Sequence, residues 1–125
     1  TARDPTNEES LVMDININDY WMLFTGDIGL EAEGILLNSG LLQADYDMVK
    51  VAHHGSRYSS GDAFVERVQA EDVVISCGSN NRFGHPHEET LFRWRESRIW
   101  RTDTQGSIHL WPQKEQWRAE QFAKP

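Results

Sequence analysis

Five residues of this chain are of the types that bind metals and move protons, and they fall in three short stretches. Asp27 lies in "LFTGDIG", His53 and His54 in "VAHHGS", and His85 and His87 in "FGHPHE". Four of the chain's five histidines are in this set. Neutral imidazole and carboxylate are the donors expected for zinc, manganese or iron, and the same groups act as general acids and bases near neutral pH. Each has an ordinary structural reading too. An aspartate after Thr-Gly can cap a helix, a histidine before glycine can hold one backbone hydrogen bond, and His85 before Pro86 can be an N-cap. Taken together, the stretches favour chemistry because all three stand in the same kind of place.

That place is the end of a strand. "SLVMDINI" alternates, with Leu11, Met13, Ile15 and Ile17 on one face, and reads as a half-buried strand. Asn18 and Asp19 supply a turn into "YWMLFT", apolar on both faces and so more central. It stops at "TGD". "LEAEGILLNSG" is a helix closed by Gly40, and "DYDMVKVA" is a buried strand that runs into the paired histidines. Ser59 or Ser60 can cap a helix carrying Ala63, Phe64 and Val68, and "DVVISC" is the next strand, with Cys77 as a small core side chain. After the loop "GSNNRFGH", Pro86 suits the first turn of a helix through Leu91 and Trp94. "RIWRT" and "SIHLW" look like a closing hairpin around "DTQGS"; residues 113–125 are a polar tail with Trp117 and Phe122 as anchors. Strands alternating with helices argue α/β architecture, which builds its sites from loops at the carboxyl edge of the sheet.

Length and charge bound the rest. A chain of 125 residues has room for one small domain or part of one. With 38% hydrophobic and 26% charged residues it is too apolar to be disordered, and no apolar run approaches the roughly 18 residues of a membrane helix. It reads as a soluble segment with no signal peptide, and one cysteine forms no internal disulfide. A formal charge of −8 opposes broad adhesion to nucleic acid, so any polyanion must be met locally. Arg57, Arg82, Arg93, Arg95, Arg98 and Arg101 could form such a patch or a solvated mixed-charge surface.

From about Ser10 to Leu110, the blocks "LFTGDIGLEAE", "VKVAHHGSRYSSGDAF" and "VVISCGSNNRFGHPHEETL" resemble, in order and nearly without gaps, the C-terminal metallo-β-lactamase-like domain of the ComEC family of DNA-internalisation proteins. The resemblance implies an αββα sandwich with a centre of two divalent ions, zinc or manganese, at one edge. It makes Asp27 the bridging aspartate and His54, directly before a glycine, the terminal ligand. His53 then takes a supporting or substrate role. His85 stands at the mouth as phosphate contact, proton donor or ligand, with Ser56, Asn80, Asn81 and His87 as polar contacts. The implied activity is hydrolysis of DNA through a metal-activated water, degrading the strand that is not imported during transformation.

The chain departs from that pattern in one large respect. Such hydrolases carry an H-x-H-x-D-H cluster upstream of "TGD", and no histidine occurs between Thr1 and Thr25. "TARDPTNEESLVMDI" resembles the middle of the domain, so the chain reads as its C-terminal half, residues 1–112, without most ligands and inactive alone. The implied partners are single-stranded DNA, the missing first half, the membrane channel portion of the same protein and, through uncovered sheet, a second copy of the fragment. The implied location is the periplasmic or extracellular face of a bacterial inner membrane. Two other readings stay open: a related phosphoesterase or lactonase acting on a small ester, and a non-catalytic remnant packed on a membrane DNA channel.

Overall fold

The computed structural model describes residues 8–113 and 116–123. It begins with a hairpin of β1 (Met13–Ile17) and β2 (Tyr20–Phe24), joined through Asn18 and Asp19 at φ 50° and 69°. Two consecutive positive φ values give the turn whose twist matches the strands it links, and Asn and Asp tolerate that region best among residues with side chains. There follow α1 (Leu30–Ser39), β3 (Tyr46–Lys50), α2 (Asp62–Val68), β4 (Ala70–Ile75), α3 (Glu88–Arg93) and β5 (Arg98–Arg101). β2 to β5 run parallel and lie side by side in chain order. The chain is an α/β protein.

Sequential order has a topological consequence. Crossovers between parallel strands are right-handed, so three of them stepping the same way put all three helices on one face. The core agrees. Leu23, Val49, Val73 and Ile75 meet Phe64, Val68 and Trp94, with Leu36, Leu37 and Leu91 packed around them. The alternate strand positions form the other face, where Met13 sits opposite Phe24 and Ile15 opposite Met22. Met22, Phe24, Val74 and Trp100 are half-buried there, while Tyr20, Met48 and Asp72 on the same face are buried. Met13 and Ile17 are 44% and 42% exposed. A parallel sheet is ordinarily covered on both faces, and in the described residues this one carries its helices on one.

Several expectations change. Arg98–Arg101 does not turn back onto "SIHLW" but extends the parallel sheet beside β4. Its side chains explain the placement: the Asp72 carboxylate, buried on β4, accepts from Arg98 Nε (2.5 Å) and Nη2 (3.0 Å) and from Trp100 Nε1 (2.9 Å). A short α4 (Thr102–Gln105) intervenes, and β6 (Ser107–Gln113) pairs with β7 (Gln116–Ala123) in a separate antiparallel sheet. Residues 116–123, expected as tail, thus form a strand, while the anchoring expected of Trp117 and Phe122 lies outside the described residues. α2 starts behind Gly61 with no side-chain cap from Ser59 or Ser60, and Ala63 is exposed. Glu33 of α1 instead holds the approach to α2, accepting from Ser60 N (2.5 Å) and Gly61 N (2.9 Å), while Ser59 Oγ donates to Ile28 O (2.6 Å). Pro86 precedes α3 rather than opening it; it packs on Gly55, where an added Cβ would stand 2.5 Å from the proline Cβ. Cys77 is partly buried against the core, as expected. No helix among the described residues is long and apolar enough to cross a membrane.

Candidate functional site

The loops after β2, β3 and β4 meet at one edge of the sheet. Thr25 Oγ1 donates to Lys50 O (2.5 Å), tying the ends of β2 and β3, and Ser10 Oγ accepts from Asp27 N (3.2 Å). His53 N donates to Gly26 O (3.0 Å). β3 has already broken into a 3₁₀ turn, Ala52–Gly55, in which His53 and His54 both hold left-handed φ, 52° and 56°. Neighbours on a strand would point to opposite faces. Here the turn lets both imidazoles approach the same third ring, with His85 centred 5.7 Å from His53 and 6.3 Å from His54. Loop 84–87 is held against this turn: His87 N donates to Gly55 O (3.0 Å), and Arg57 N donates to His87 Nδ1 (2.8 Å).

Hydrogen bonds fix two tautomers. His54 Nδ1 lies 2.7 Å from Ser76 O, and a carbonyl only accepts, so Nδ1 carries the proton. Nε2, the other ring nitrogen, faces Asp27 Oδ1 at 4.0 Å. A carbonyl holding one imidazole nitrogen while the other faces outward is how ligating histidines are oriented. His87 differs, because Nδ1 accepts from Arg57 N and Nε2 donates to Phe83 O (3.2 Å). Both of its nitrogens staple loops together. Burial lowers the pKa of His85, as do the neighbouring His87, His53 and His54, with Asp27 opposing them. His85 is therefore an uncharged imidazole at neutral pH.

Two donors on one tetrahedral ion, each at about 2.1 Å, stand roughly 3.4 Å apart. The His54–Asp27 separation of 4.0 Å is close to that. Among the described residues no group of three His, Cys, Asp or Glu side chains converges to hold an ion. The pair fits two ligands of a centre, and a full set is not assembled here.

The chain is 36% identical over 111 residues to ComE operon protein 3 of Bacillus subtilis (strain 168), covering 86% of this chain and 14% of that protein. It is 30% identical over 106 residues to Competence protein ComA of Neisseria gonorrhoeae, covering 83% and 15%. The chain is a homologue of competence proteins. Recombination protein 2 of Haemophilus influenzae is also similar, at 27% over 107 residues, 83% of this chain and 13% of that protein. The chain thus spans about one seventh of the length of these relatives. No family model matches it, and no solved structure does.

The other expected contacts of this competence-protein homologue occupy varied places. Ser56 is buried, its Oγ accepting from Tyr58 N (3.1 Å). Asn81 rivets its own loop: Oδ1 accepts from Phe83 N (3.2 Å) and His85 N (2.9 Å), and Nδ2 donates to Gly78 O (2.9 Å) and His85 O (2.6 Å). Asn80 is exposed in a left-handed conformation. The arginines do not act as one patch. Arg93 donates to Arg57 O, Ser59 O and Ser60 O, Arg98 pairs with Asp72, and Arg101 with Asp103. Sequence reasoning passed over Lys50, whose amine donates to Val51 O (3.3 Å) and feels the charge of Asp27, although burial lowers its pKa overall. A lysine closing an apolar strand beside "HH" was the available signal.

Proposed function

We propose that this chain is the C-terminal half of a metallo-β-lactamase-like domain which, in a longer protein, hydrolyses DNA phosphodiesters during DNA uptake by competent cells. The observation that carries the reading is the His54–Asp27 pair, an imidazole held through Nδ1–H by Ser76 O with its Nε2 set 4.0 Å from a carboxylate oxygen at the carboxyl edge of the sheet. The competence names of the relatives support it. So does the sheet face without helices, which suits the inner face of an αββα sandwich.

In this reading His54 and Asp27 hold divalent ions, zinc or manganese, with the remaining ligands supplied by the first half of the domain. When bound, such ions neutralise charge on the phosphodiester and give water a near-neutral pKa. His85, uncharged at neutral pH, donates an N–H to a phosphate oxygen or takes up a proton, and His53 supports it from 5.7 Å. The substrate is single-stranded DNA, and the domain adjoins the membrane channel portion of the same protein on the periplasmic or extracellular side.

The test uses the full-length protein, with bound metal measured by mass spectrometry and cleavage measured on single-stranded DNA and on a small phosphoester or lactone. His54→Ala should lose metal and cleavage together, whereas His53→Ala should lose cleavage and keep most of its metal. Full metal and full cleavage in His54→Ala would refute the reading, and a preference for the small ester would refute the DNA assignment.

A further inference from the structure

The loop between β4 and α3 holds an aromatic ring in solvent beside the histidines. Phe83 is 62% exposed. Single exposed apolar side chains are ordinary on protein surfaces, but this one stands on a loop whose backbone is held by hydrogen bonds. Phe83 N donates to Asn81 Oδ1, Phe83 O accepts from His87 Nε2, and Gly84 N donates to Asn81 O (3.3 Å). These bonds fix the place of Phe83 on the loop next to His85.

The surroundings of the ring point to a ligand class. It stacks on His85, with centroids 5.7 Å apart and planes 24° apart. The Arg82 guanidinium lies 4.8 Å from its centroid. An arginine on a flexible stem can rest on an aromatic face or leave it for a phosphate, and a flat ring beside a cation recognises a flat group that carries an anion. A nucleotide is such a group. The charge of −8 opposes phosphate attraction over the whole surface, so a strand held here depends on local contacts such as these.

We infer that Phe83 and Arg82 form a stacking platform for a nucleobase of single-stranded DNA, placing the adjoining phosphate at His85. This rests on the DNA reading above and adds to it how the strand is held. Base stacking tolerates any sequence because every base presents a π face, so the platform grips without reading.

The test measures, on the full-length protein, anisotropy of labelled single strands of about ten nucleotides at low salt, one of oligothymidylate and one abasic with the same phosphates. Wild type should bind oligothymidylate more tightly. Phe83→Ala should weaken that binding roughly 5- to 100-fold, to the abasic level, and leave abasic binding unchanged, which also shows an intact fold. Phe83→Trp should restore it, and Arg82→Gln should weaken both strands alike. Equal binding of the two strands by wild type, or unchanged binding by Phe83→Ala, overturns the platform while the DNA reading stands. Failure of wild type to bind either strand overturns both.

Discussion

Glu33→Gln tests the least expected part of the helical layer. The Glu33 carboxylate is 2% exposed and accepts the backbone N–H groups of Ser60 and Gly61, the two residues just before α2. Burial raises its pKa from the ordinary 4.5 to about 7, against the opposing pull of the Gly61 and Ser60 amides and Arg93; Glu8 adds a smaller rise. The folded state therefore binds this proton more tightly than the unfolded chain does. Its contribution to stability is fully present below about pH 4.5 and is lost as pH rises towards about 7. The rise from 4.5 to about 7 corresponds to roughly 3 kcal/mol. Glutamine stays neutral and can still accept one amide bond, so the variant should lack this slope. Urea unfolding of both proteins from about pH 4.5 to about pH 8 isolates it, because the other titrating groups cancel in the difference. Glu33→Gln should gain roughly 3 kcal/mol relative to wild type across that range. Parallel curves, or a wild type that gains on the variant as pH rises, would refute the reasoning.

Gly55→Ala should cost at least about 2 kcal/mol and lower the melting temperature by roughly 5–10 °C, because φ is +83° there and the new Cβ would meet Pro86 at 2.5 Å. An unchanged calorimetric transition would show that the contact of the two loops relaxes freely. The chain should form concentration-dependent dimers through the face without helices and the β1 edge. Met13→Lys with Ile17→Lys should abolish them in sedimentation at a stability change within about 0.5 kcal/mol. A wild type that sediments as a monomer at high concentration would contradict this.

What could be read from the residues alone follows from where the information is stored. β2 is apolar on both faces and β3 and β4 are short, largely apolar runs bounded by polar loops, so "YWMLF", "DYDMVKVA" and "DVVISC" announce themselves locally. So do Asp27 and the histidines, since a sheet of this kind collects strand ends at one edge. The hairpin of β6 and β7 does not, because "KEQWRAEQFA" shows no core-facing alternation. Nor does the course of β5, which depends on Asp72, 26 residues before Arg98. The Glu33 contact ahead of α2 was hidden for the same reason, its partner Ser60 lying 27 residues on. The left-handed turn at His53 is fixed by Gly26 O, a contact that no local pattern encodes.

The agreement between chain order and strand order bears on how the sheet is made. β1 and β2 close through a two-residue turn, and each later strand adds beside the one just before it. No strand has to wait for a later one to fill a gap between neighbours already in place. Along the chain each strand of the sheet is delivered after the neighbour it pairs with. Entropy is lost in short, successive closures rather than one long search. The last addition to the sheet, β5, brings Arg98 and Trp100 to Asp72, so until it docks that buried carboxylate waits without them.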